Sequence, residues 1–134
     1  MATEPDFAST VRTECALIGV LETDLKAPTQ AATVFTAGAS GSKIEEIVIE
    51  AVTTSLTPTT AAGLVYLFLY DGLTYHLYDV IPVTAVVASA TVAPFRATRV
   101  YANLILENGW SLRASQSVAT NNSLLKVHAF GGDF

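Results

Sequence analysis

The hexapeptide Gly38-Ala39-Ser40-Gly41-Ser42-Lys43 has the glycines, hydroxyls and lysine of a loop that could cradle a phosphate. A phosphate loop of the GxxxxGK[ST] type needs a strand before it and a helix after it, whose free N–H groups and dipole hold the anion. Here Lys43 follows Ser42 rather than a glycine. Downstream, Ile47, Ile49 and Ala51 share one face of an alternating segment, and Glu46 and Glu50 fall on the other. A period of two with β-branched residues predicts a half-buried strand, and two glutamates would repel a phosphate. The hexapeptide therefore reads as a turn between a strand ending near Thr36 and a second strand.

The other groups that could do chemistry are few. His76 and His128 are the only histidines. A metal site built on them would need Asp79 or Asp133 as a third ligand, and no HxH or HxxxH spacing supports one. Both read as exposed strand histidines. Glu45 and Glu46 are adjacent and should point to opposite faces of a strand. Glu46 and Glu50 share a face but lie ~13 Å apart along an extended chain, too far for a glycosidase pair. No GxSxG elbow occurs. The reading is that the chain is not an enzyme and holds no metal or cofactor. The single cysteine, Cys15, rules out an intrachain disulfide and, lying in the apolar run Cys15 to Leu21, reads as a buried inert thiol.

Tyr66, Tyr70, Tyr75 and Tyr78 flank one hairpin, and Tyr101 stands apart. Strand tyrosines pack in cores and are enriched at interfaces, and Tyr66, Phe68, Tyr70 and Tyr78 are the candidates for a subunit interface. Tyr66 and Tyr78 would form a cross-strand pair. The same rings could instead stack on sugars.

These residues must be positioned by strands. Arg12 to Glu22, Ala32 to Thr36, Lys43 to Thr53, Gly63 to Tyr70, Leu73 to Val80, Phe95 to Leu106, Trp110 to Ser115 and Leu124 to Phe130 all carry β patterns, with a small-residue segment between Pro82 and Pro94. Asp71-Gly72 between two aromatic-rich runs is a hairpin signal, with Gly72 at positive φ. Trp110, Leu112 and Ala114 should face inward. Eight or nine short strands with no helical stripe predict an all-β antiparallel sandwich, jelly-roll-like, over residues 11–134. Residues 1–10, with Pro5, read as a short extended N-terminal arm in which Phe7 would anchor on a partner and Glu4 and Asp6 would meet its basic groups.

The bulk composition agrees with a folded domain: 134 residues, 51% hydrophobic and 14% charged. So little charge implies that other subunits cover part of the apolar surface. A net charge of −5 with no Lys/Arg cluster argues against nucleic acid; nor is there a basic face for a membrane. The first ten residues lack the features of a signal peptide, and a soluble chain made without export is expected.

The runs VFTAGASGSKIEEIVIEAVTT, LVYLFLYDGLTYHLYDVIPVTA and LENGWSLRASQS, with the closing AFGGDF, resemble small β-rich structural proteins of tailed bacteriophages, of the head-decoration or capsid cement type. The resemblance covers residues 30 to 134 and is one of segment order. It implies a jelly-roll fold, self-association as a homotrimer, and binding to the major capsid protein on the capsid surface of a virion. The chain would be made in the host cytoplasm. The alternative is a tail- or baseplate-associated module that binds host glycans or other tail proteins.

Overall fold

In a computed structural model of the chain, residues 9–53, 55–118 and 124–134 are described. They form an all-β, antiparallel sandwich with no helix among them. The strands are β1 (Thr10–Ile18), β2 (Ala32–Thr36), β3 (Ser42–Ala51), β4 (Thr59–Thr60), β5 (Gly63–Tyr70), β6 (Tyr75–Val83), β7 (Val86–Val87), β8 (Arg96–Leu106), β9 (Ser111–Gln116) and β10 (Leu125–Asp133). One sheet has the order β1-β10-β3-β8 and the other β2-β9-β5-β6; β4 and β7 form a two-residue ladder.

Alternation places the core. Ile47 and Ile49 of β3, Val127 and Ala129 of β10, Val65 and Leu67 of β5, and Leu112 and Ala114 of β9 all meet between the sheets. Trp110 lies half-buried at the margin of that core rather than within it. Alternation also holds along β1, where Val11, Thr13, Cys15 and Leu17 are exposed. Cys15 is thus on the outward face of an edge strand, and the expected buried thiol is corrected: neighbouring apolar residues in sequence alternate faces in a strand.

Several boundaries differ from the sequence expectation, three of them with a visible cause. Strand β1 stops at Ile18 and does not reach Glu22. Instead Glu22 is buried, and its carboxylate accepts the backbone N–H groups of Thr23, Asp24, Thr29 and Gln30. It organises the 19–31 loop from within, something no local pattern announces. Thr10, assigned to the arm, is the first residue of β1, and the Ser9 N–H donates to Asp133 O. The turn after β5 has four residues rather than two, since Tyr70 pairs with Tyr75 and the Asp71 N–H donates to Thr74 O. Gly72 does adopt positive φ, at 97°, and Asp71 accepts from the N–H groups of Leu73 and Thr74.

Candidate functional site

The hexapeptide that resembled a phosphate loop is a structural corner. Gly41 has φ 86°, the Gly38 N–H donates to Ser42 Oγ, and the Ser42 hydroxyl donates to Asp133 Oδ1. Arg12 completes the corner. Its guanidinium donates to Asp133 at 2.7 Å and to Thr36 O at 2.8 Å, pairs with Glu14, and lies 4.3 Å from the centre of the Phe35 ring. Four strands, β1, β2, β3 and β10, are joined by this one ion pair and its partners.

The Asp133 carboxyl is held below the usual carboxylate range, first by the Ser42 hydroxyl and then by Arg12. A lowered folded pKa gives stability that is complete above the unfolded value of 3.8 and is lost as the pH falls through the folded value. The melting temperature of the chain should therefore drop in acid below about pH 4. Asp133→Asn should melt lower at neutral pH, with the gap to the parent narrowing below that point. A gap independent of pH in thermal melts would show that Asp133 is not the titrating group.

The candidate interface residues separate into two groups. Tyr66, Phe68 and Tyr70 alternate on the outward face of β5, where Tyr75 of β6 and Arg113 of β9 join them. The Phe68 ring lies 6.4 Å from Tyr66 and 6.0 Å, edge-on, from Tyr75. It is 0% exposed, so none of its surface is left for a neighbouring subunit, which corrects its assignment as an interface contact. Tyr70 and Tyr75 lie 4.3 Å apart, with the Arg113 guanidinium 4.2 Å over Tyr70 and donating to the Tyr75 hydroxyl at 3.0 Å. The ring faces are thus turned to each other and to a cation, an arrangement that leaves little for a sugar to stack on.

Tyr78 is elsewhere. A register shift between Leu67 and Phe68 places Tyr66 opposite Val80, so the expected Tyr66–Tyr78 pair does not form. Tyr78 packs instead on Tyr101 of β8, at 5.6 Å. There the Tyr101 hydroxyl donates to Asp79 at 2.7 Å, and Arg99 lies 3.5 Å from the same carboxylate. Burial, then the bond to Asp79, pushes the Tyr101 hydroxyl well above the usual phenol range. These side chains bridge β6 and β8 across one side of the sandwich.

Neither histidine forms part of a metal cluster among the described residues. His76 bonds Asp71 at 3.0 Å and stacks on Trp110. Asp71 is held low chiefly by the Thr74 N–H, then by His76 and the Leu73 N–H. His128 is half-buried rather than exposed, since it sits 2.8 Å from Glu50 and stacks on Phe130. Asp79 and Asp133, the proposed third ligands, belong to the two separate clusters described above.

The outward face of the β1-β10-β3-β8 sheet carries the feature that sequence reasoning missed. Between Phe130 and Gly131 the β10 register skips Glu45, and β8 shifts at the same place. A bulged residue breaks the alternation of a strand. Glu45 therefore joins Glu46 and Lys43 on one side, correcting the expectation of opposite faces. With Val11, Phe130 and two glycines they line an open groove of about 320 Å³. At its rim Val11 is 85% exposed; Val100 and Ile105 of β8 are exposed on the same face, as is Leu17 toward the other end of β1. Glu4, Asp6 and Phe7 lie outside the described residues. No family model, curated protein or solved structure matches the chain.

Proposed function

We propose that the chain is a virion structural protein, a decoration protein that self-associates and binds the head shell of a tailed phage through an outward sheet face. The observation that supports this most is the exposure of Val11, Leu17, Val100 and Ile105 on one face of a well-packed sandwich. These side chains lie on the two edge strands of that face, β1 and β8, and a protein partner would remove their apolar surface from water. The strand order is also in keeping with the resemblance. With the two-residue β4 and β7 left out, one sheet joins the first, eighth, third and sixth long strands, and the other the second, seventh, fourth and fifth. Interleaving of this kind supports the jelly-roll reading.

The test is to add the purified chain to phage heads that lack it and to image the particles. Density on the head lattice is expected. Val11→Asp combined with Leu17→Asp should lower its occupancy at least about tenfold, since charges at a desolvated apolar contact are costly, while the melting temperature stays close to that of the parent. Density confined to the tail, or full occupancy by the double variant, would overturn the assignment.

A further inference from the structure

Four strands end the two sheets, and their free edges are not alike. Strand β2 is five residues long, and its Thr36 C=O and N–H are taken by Arg12 and Glu14 of β1. Those same side chains close β1 over β2. Strand β6 carries Pro82, which has no N–H, and a register shift near Tyr78. Such features blunt an edge against pairing. Strand β1 is unbroken against β10, but it carries the Arg12 and Glu14 side chains that reach over β2. Strand β8 offers a stretch from Arg96 to Val100 in unbroken register with β3, without a proline and with no side chain reaching over to β2 among the described residues.

The hydrogen-bond phase of β8 follows from one bond. The Ala51 N–H donates to Phe95 O at 3.0 Å, and Ala51 and Phe95 continue the register Glu50↔Arg96. In an antiparallel ladder, bonded pairs alternate with unbonded ones. Ala97 and Arg99 are therefore bonded to β3, and the N–H and C=O groups of Arg96, Thr98 and Val100 point out along the free edge. The side chains of these three residues are exposed as well.

We propose that two copies of the chain join edge to edge through β8, antiparallel about a twofold axis at Thr98. This deepens the proposed function by naming the contact, and it rests on that reading for self-association alone. The register is selected by chemistry. Centred on Thr98, it sets Arg96 opposite the partner's Val100 and Thr98 opposite its own copy, so all three outward donors and acceptors find partners. With the axis moved to Ala97, Val100 would face Pro94, which has no N–H to give; moved to Arg99, it would set Arg96 opposite Ala102, in the stretch where β8 loses its register with β3. The same register keeps arginine from facing arginine: the aliphatic stem of Arg96 covers Val100, itself 76% exposed in the single chain, and two threonines meet at the axis. The two four-stranded sheets become one of eight. A twofold contact gives a dimer, in place of the trimer that the resemblance implies.

Thr98→Pro tests this directly, because it removes only an outward N–H and leaves the β3 ladder whole. Thr98→Lys is the second variant, placing two ammonium groups together at the axis. The parent should sediment as a dimer at micromolar concentration, and both variants should raise the dimer dissociation constant at least about tenfold. Hydrogen exchange should show concentration-dependent protection of the Arg96, Thr98 and Val100 amides, with Ala97 and Arg99 protected at every concentration. A trimer or dimer unmoved by Thr98→Lys, or exchange at Thr98 that ignores concentration, would overturn the proposal. A parent that stays monomeric yet decorates heads overturns the β8 contact and leaves the decoration role standing. A β8-paired dimer that ignores heads does the reverse.

Discussion

Gly131→Ala is expected to destabilise the chain by about 4 kcal/mol or more, among the largest effects that one methyl group can have. At the bulge between β10 and β3 the two backbones approach so closely that a Cβ on Gly131 would stand 2.0 Å from Lys43 O and 2.9 Å from Ile44 Cα. Both obstacles are main chain, so no rotamer change relieves them. The strands must separate, and with them the Ile44 and Ala129 side chains that the core holds at 0% exposure. Thermal unfolding followed by circular dichroism should show a fall of roughly 10–20 °C. Gly109→Ala is the control: its Cβ would meet nothing within 4 Å, but its φ is +90°, so only the conformational cost of about 1 kcal/mol is expected. Equal melting of the two variants would sink the close-approach account.

Phe68→Ala should cost about 3–5 kcal/mol, the usual range for emptying a buried phenylalanine site. The ring is enclosed by its own chain on the outward face of β5, against Tyr66 and Tyr75, so the loss should be the same at every protein concentration. A subunit contact would behave differently, since its loss grows as dilution dissociates the assembly. Tyr78→Ala, at a ring 42% exposed, should cost far less in the isolated chain. Denaturant midpoints at two concentrations a hundredfold apart, an arbitrary span large enough to resolve mass action, decide between the two. A midpoint for Phe68→Ala that moves with concentration would return the residue to the interface.

These two residues also mark where reading the chain from its sequence stops. Phe68 sits in a strand that is apolar on both faces, and such a strand is central in its sheet. Whether the second face is covered by the same chain or by another is not a local property. It was settled by Tyr75, seven residues away, whose ring packs edge-on against Phe68, and by Arg113, 45 residues away, which strand pairing sets opposite Phe68 and whose guanidinium lies over Tyr70 and Tyr75. Gly131 reads in sequence as part of a closing Gly-Gly. Its constraint comes from Lys43, brought beside it only by strand pairing.

What the sequence determined by itself was the set of eight long strands and the inward sides of the alternating ones. Ile47, Ile49, Leu112 and Ala114 lie where period-two alternation puts them, because side-chain direction in a strand is dictated by the pleat and needs no partner. The turn glycines at 41, 72 and 109 likewise take positive φ, since the chain reversals there suit a residue without Cβ. Tertiary structure decided everything that depends on register. A bulge moved Glu45 beside Glu46, the four-residue turn and the shift in β6 together set Tyr66 opposite Val80 and left Tyr78 to pack on Tyr101, and the 19–31 loop closed around the Glu22 carboxylate. For the two strand pairs the physical reason is the same: one extra residue in a ladder changes which side chains meet, and that residue is placed by contacts between strands; the loop is held instead by backbone N–H groups that turn in to the buried carboxylate.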